Sequence, residues 1–230
     1  MSLGLFRKSL VLHQWIAGKC GVTVAFGPAS TRLVYSAANE EDDSTHVSLY
    51  NEYDYVRGRA LELMRKQIGD LPGSVAEAGV DCGEFARLIN FCFPDRKLFL
   101  YDTFGGYVKE ELVYERKNNL SNFAGDNALS MEEHATEALE LMPAYWLDKF
   151  PSLSLDATPE ERAAAVKKTM PFPDQCVWRI GHFPDTVMPE EENEKFVFVS
   201  IDINLYQPTR AALEFFYPRL QAGGVIFVHD

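Results

Sequence analysis

Two carboxylates close two apolar runs near the C-terminal end of the chain. Residues 195–202 read KFVFVSID and residues 225–230 read VIFVHD. Each run has the near-continuous apolar character of a strand buried on both faces of a parallel sheet, which puts Asp202 and Asp230 at strand ends. On neighbouring strands those ends lie about 5 Å apart, in the crevice where open α/β sheets bind ligands. Two carboxylates that close do not both ionise unless a cation sits between them or one keeps its proton. Oxygen donors favour Mg²⁺ or Ca²⁺, and such an ion would lower the pKa of a chelated hydroxyl. Proton removal from an alcohol calls for a histidine of near-neutral pKa, or a carboxylate beside a metal-bound hydroxyl. His134, His182 and His229 are the candidate histidines. His229 stands beside Asp230 and is placed best, with Asp202 as the carboxylate. The choice of base stays open at this level.

A second constellation lies upstream. Val75-Ala76-Glu77-Ala78-Gly79-Val80-Asp81-Cys82-Gly83 reads as a buried strand followed by a glycine turn. Phe85, Leu88, Ile89 and Cys92 then recur at helical spacing until Pro94. Strand, turn and helix N-terminus together form a nucleotide-binding crevice. The pattern is Glu-x-Gly-x-x-x-Gly rather than Gly-x-Gly-x-x-Gly. Nicotinamide sites use their glycines to bring the helix N-terminus against a pyrophosphate. S-adenosylmethionine (SAM) has no phosphate but carries an amino-acid end and a sulfonium, which suit an acidic strand residue and a looser turn. Glu77, Gly79 and Gly83 are therefore candidate SAM contacts. Asp102 ends the run KLFLYD about 20 residues beyond the turn, where a carboxylate meets ribose hydroxyls, and Thr103 follows it.

Positioning these groups takes five strands alternating with helices. After the strands ending at Ala78 and Asp102, Cys176–Gly181 is predicted as the third, Lys195–Asp202 as the fourth and Val225–Asp230 as the fifth. The alternation implies a doubly wound, mostly parallel Rossmann-like α/β sheet in the order 3-2-1-4-5. A helix is predicted from Val47 to Ile68, and another from Pro208 to Leu220, ended by Gly223-Gly224. Residues 1–46 form an N-terminal extension, with short strands expected at Val22–Phe26 and Leu33–Tyr35. Residues 105–170 exceed an ordinary crossover and are expected to cap the crevice as a helical lid. Within them, helices are predicted from Ser130 to about Met142 and from Pro159 through Lys168 behind a Thr158-x-x-Glu161 capping box.

The 230 residues are most simply one domain, and 47% hydrophobic content is ordinary for a globular protein. A net charge of -12 argues against nucleic-acid or anionic-membrane partners, which need basic patches. The four cysteines show neither a Cys-x-x-Cys pair nor zinc-ligand spacing, as expected of reduced, mostly buried residues in a cytoplasmic enzyme. No run approaches membrane-spanning length, and Met1–Trp15 has no convincing cleavage site. The fifth predicted strand is also the chain's last element. An uncovered edge strand invites pairing, so a homodimer or a truncated natural chain is expected.

Several motifs occur in one order: Tyr53–Arg57, Val75–Arg87, Phe99–Gly106, Gly181–Thr186, Ser200–Tyr206 and Tyr217–Asp230. Over residues 50–104 and 170–230 this set resembles the macrocin/mycinamicin sugar O-methyltransferase family (TylF-like), of the class I SAM-dependent methyltransferases. The resemblance implies SAM-dependent, Mg²⁺-assisted methylation of a hydroxyl on a sugar or other small-molecule acceptor in natural-product biosynthesis. By position it implies that Glu77, Gly79 and Gly83 line SAM and that Asp102 holds its ribose. Gly181, His182 and Phe183 then fall near the adenine, and Asp202, Asp230 and His229 at the metal. The chain departs from the family in Asp202-Ile203-Asn204, where Asp-x-Asp is frequent, and in His229-Asp230, where the antibiotic enzymes carry an acidic pair. The stretch 105–170 matches poorly, so the acceptor does not carry over. A nicotinamide-dependent oxidoreductase on a similar fold and a non-catalytic SAM-binding protein are the alternatives. Glu77 and the lack of a Tyr-x-x-x-Lys pair disfavour the former, and Asn204 leaves room for the latter.

Overall fold

A computed structural model describes residues 32–35, 46–49, 52–118 and 142–229. The strand expected at Val22–Phe26, the helix expected to lead up to Met142, His134 and Asp230 lie outside the described residues.

Two short strands, β1 (Arg32–Tyr35) and β2 (His46–Leu49), pair in parallel. The helix expected from Val47 begins only at Glu52: α1 is Glu52–Ile68. His46–Leu49 find ladder partners on β1 instead, which decides a stretch too short for periodicity to assign.

The main sheet holds β3 (Ser74–Ala78), β4 (Leu98–Asp102), β5 (Cys176–Ile180), β6 (Phe196–Ile201) and β7 (Leu220–Val228). Its order is β5-β4-β3-β6-β7 with every pair parallel, the expected 3-2-1-4-5 counted from β3. Between the strands run α2 (Glu84–Cys92), α3 (Lys109–Asn118), helical residues 142–149 (α4), α5 (Pro159–Lys167) and α6 (Tyr206–Phe216). Side chains alternate across the sheet, as strand geometry requires. Val75, Leu98 and Leu100 join Leu61, Phe85, Ile89 and Val166 in one core layer. Ala76, Phe99, Tyr101, Val199 and Ile201 join Ala212 and Phe216 in the other.

Helix α5 starts as its sequence predicts. Glu161 N donates to Thr158 Oγ1 at 3.2 Å, and Thr158 N donates to Glu161 Oε2 at 2.8 Å. The C-terminal helix is shorter than expected. Pro218 offers no amide to continue it, so α6 gives way to a 3₁₀ turn at Tyr217–Arg219 and β7 already starts at Leu220. Gly223 and Gly224 therefore lie inside β7 rather than ahead of it. The register jumps there from Phe196↔Leu220 to Phe198↔Val225, and Gly223 takes φ +94° in the irregularity.

Cys82 and Cys92 are buried and Cys176 is half-buried, all as free thiols. Burial pushes Cys82 and Cys176 up to about 12. Among the described residues no helix is long and apolar enough to cross a membrane.

Candidate active site

The C-terminal ends of β3, β4 and β6 open into a cavity of about 650 Å³, within the range of small-molecule and cofactor sites. Its floor is the turn after β3. Gly79 N donates to Tyr101 O at 2.9 Å and Asp202 N donates to Ala78 O at 2.8 Å, so the chain leaves β3 wedged between its neighbours. A β-carbon on Gly79, at φ +88°, would stand 1.9 Å from Asp202 O. Only glycine fits there.

Gly83, expected to contact a cofactor, has a packing role in the structure. It does not line the cavity. At φ +76° it precedes α2, and a β-carbon would meet Val166 Cγ1 of α5 at 2.3 Å. Its bareness admits the packing of α5.

Asp102 grips the same turn. Its Oδ2 accepts from Val80 N at 2.6 Å and Asp81 N at 2.9 Å, and its Oδ1 accepts from Phe104 N at 2.5 Å. Burial raises its pKa, and the three amides pull the other way. The side chain expected at a ribose thus also ties the β3 turn to the end of β4. Thr103 next to it holds the following loop, donating to Gly106 O at 2.7 Å and accepting from Gly105 N at 3.2 Å.

Glu77 is 1% exposed, yet it lines the cavity. Its Oε2 has no hydrogen-bond partner among the described residues. Burial raises its pKa well above the carboxylate range. Arg57 counteracts this, while Asp202, Asp102 and Asp81 add to it. A buried acceptor left unsatisfied carries a desolvation cost of about 1–3 kcal/mol, which a cationic or N–H-bearing ligand would relieve. Arg57 itself lies over the Phe85 ring, 3.8 Å from its centroid.

Parts of the 105–170 stretch wall the cavity: Tyr107, Val108 and Glu111 at α3, and Met142, Tyr145 and Trp146 at α4. Helix α4 is fastened to the glycine turn, with Tyr145 OH donating to Asp81 Oδ2 at 2.7 Å and Lys149 Nζ to Glu84 Oε1 at 2.8 Å. From α5, buried Arg162 donates to Phe104 O at 2.9 Å and packs against Trp146. Nothing in the sequence pairs Tyr145 with Asp81, 64 residues away. Glu111 likewise sits in an unremarkable acidic helix.

After β5, Gly181, His182 and Phe183 line the cavity. His182 Nε2 is 2.7 Å from Glu111 Oε1 and its Nδ1 is 2.9 Å from Asp185 Oδ2. Burial opposes its charged form, but these two carboxylates outweigh burial and raise its pKa. Phe183 is chiefly a core residue, edge-on to Tyr101 and stacked on Phe216.

Asp202 lines the cavity, and His229 Nδ1 stands 3.8 Å from its Oδ2. Asn204, at φ +67°, donates from Nδ2 to Tyr107 OH at 3.0 Å. Among the described residues no three His, Cys, Asp or Glu side chains converge on a point. Asp202 and His229 alone offer one carboxylate and one imidazole, which do not amount to the oxygen shell Mg²⁺ takes. Asp230, the third residue expected at the metal, lies outside the described residues, so the described part of the expected donor set is Asp202 and His229.

An open, doubly wound parallel sheet with its ligand cavity at the C-terminal strand ends is the class of protein this architecture defines. No protein-family model and no curated protein matches the chain, so the TylF-like resemblance remains one of ordered motifs. Two solved structures of CalS11 are similar to it at 20% identity. One, described as a calicheamicin methyltransferase, gives a TM-score of 0.46 over 76% of this chain and 64% of that chain. The other, an apo form described as a TDP-rhamnose 3′-O-methyltransferase of calicheamicin biosynthesis, gives 0.47 over 78% and 65%. This chain thus spans just under two thirds of their length.

Proposed function

We propose that the cavity binds SAM and that the protein is an O-methyltransferase acting on a hydroxyl of a sugar-like small molecule. The observation that carries this is Glu77: a buried carboxylate, unsatisfied at Oε2, at the end of the strand that feeds a phosphate-free glycine turn. A ligand with an ammonium group satisfies it, and a pyrophosphate does not.

The fit extends to the other lining groups. Glu77 would meet the amino-acid end of SAM, with Gly79 admitting close backbone approach. Asp102 and Thr103 would face the ribose, and Gly181, His182 and Phe183 the adenine side. When bound, SAM supplies an electrophilic methyl group on a sulfonium. The protein's own task is to orient the acceptor hydroxyl and take its proton. His182 has a carboxylate oxygen at each ring nitrogen, so neither nitrogen is open to take that proton. Asp202, with His229 beside it, is the better acceptor. The α4 contacts to Asp81 and Glu84 would exclude water once both ligands are in place.

Calorimetric titration with S-adenosylhomocysteine tests the reading. Micromolar binding is expected, weakened at least tenfold by Glu77→Gln. Binding of NAD(H) in its place would move the protein to the nicotinamide-dependent class, and no binding of either ligand would sink the proposal.

A further inference from the structure

We propose that Ser200 is a positioning residue for the cofactor: its hydroxyl holds the Glu77 carboxylate against the ammonium group of the methyl donor. This rests on the methyltransferase reading above. Glu77 of β3 and Ser200 of β6 are register partners, so their side chains leave the same face of the sheet side by side. The next partners outward in that row are Leu100 of β4 and Phe227 of β7, whose side chains offer no hydrogen bond. Glu77 and Ser200 are both buried. Glu77 Oε2 and Ser200 Oγ each lack a hydrogen-bond partner among the described residues. Two buried polar atoms, each carrying a desolvation cost, thus stand next to one another between apolar neighbours.

Pairing them relieves both. Neighbouring strands lie about 4.8 Å apart, a gap that rotation of the longer Glu77 side chain spans. A carboxylate oxygen accepts two hydrogen bonds, so Oε2 can take the Ser200 hydroxyl and still meet an ammonium group. Burial favours the protonated form of Glu77, and the hydroxyl serves either form, accepting from the acid and donating to the carboxylate. Ser200 does not itself line the cavity. It acts on the cofactor through Glu77.

S-Adenosylhomocysteine and 5′-methylthioadenosine share the adenosine and the sulfur, but only the first carries the amino-acid end. Each is titrated calorimetrically into the full chain and into its Ser200→Ala and Ser200→Cys variants. Ser200→Ala is expected to weaken S-adenosylhomocysteine about tenfold, as for a lost hydrogen bond to a charged group, and to leave 5′-methylthioadenosine unchanged. Ser200→Cys keeps the shape and weakens the donor, so it should show the same selective loss and decides the matter if the alanine variant misfolds. On a Glu77→Gln background most of the Ser200→Ala loss should vanish. Equal weakening of both ligands overturns the proposal, as does unchanged S-adenosylhomocysteine binding or full additivity with Glu77→Gln. A wild-type chain that fails to bind S-adenosylhomocysteine instead removes the methyltransferase reading, and the proposal with it.

Discussion

Gly79 lies so close to Asp202 that a β-carbon would come within 1.9 Å of the Asp202 carbonyl oxygen. The backbone at the mouth of β3 and the carboxylate proposed for proton transfer are thus one rigid unit, joined also by the Asp202 N to Ala78 O hydrogen bond. Gly79→Ala forces the two strand ends apart in a left-handed backbone. A loss of at least about 3 kcal/mol of stability is expected, measured by urea denaturation, together with loss of S-adenosylhomocysteine binding.

Gly83→Ala distinguishes packing from ligand contact. Its β-carbon collides with Val166, so the double variant Gly83→Ala/Val166→Ala should be less destabilised than the two single costs added together. A backbone penalty of about 1 kcal/mol remains for φ +76°. Simple additivity in a double-mutant cycle would show that the collision is relieved elsewhere.

Asp102→Ala strips three backbone amides of their acceptor. A cost of about 3 kcal/mol is expected in denaturant melts. The clamp role predicts this loss in the ligand-free protein. A purely ligand-binding Asp102 would leave ligand-free stability untouched.

Glu62 lies away from the cavity, 4% exposed, with its Oε1 unsatisfied among the described residues. Burial raises its pKa from 4.5 to about 7, against the pull of Arg59. The folded state therefore holds the proton more tightly than the unfolded chain does. Its stabilising contribution is complete below the unfolded pKa and is lost as pH rises through about 7. The Tm should fall over that window, and Glu62→Gln should flatten the profile by on the order of 2–3 kcal/mol.

The raised pKa of His182 can be followed by NMR titration of its ring protons. The hydrogen bonds to Glu111 and Asp185 hold the imidazolium, so Glu111→Gln should lower the midpoint. The stability His182 contributes is present below its unfolded pKa and is lost as pH rises through the higher folded value. An unchanged midpoint in Glu111→Gln would show that Glu111 does not hold the charge.

The strand order 3-2-1-4-5 was legible in the sequence because buried parallel strands read as apolar runs that helices separate. Four of those runs lie within one or two residues of strands in the sheet, the fifth falls in β7, which starts five residues earlier at Leu220, and the Thr158 capping box is where its residues predict it. The boundaries that failed have local causes. His46–Leu49 became a strand because β1 pairs with it, and Pro218 ended α6 before the glycines that seemed to mark its end.

By itself, then, the sequence determined the sheet, the glycine turn after β3 and the carboxylates at its strand ends, because each depends on residues close together in the chain. Tertiary structure alone decided that Gly83 serves Val166, that Asp102 clamps the turn, that Tyr145 reaches Asp81 and that His182 is held between Glu111 and Asp185. Most of those partners stand 20 to 80 residues apart. No periodicity joins them, and a carboxylate's solvation, and hence its charge, is set only when distant segments close around it.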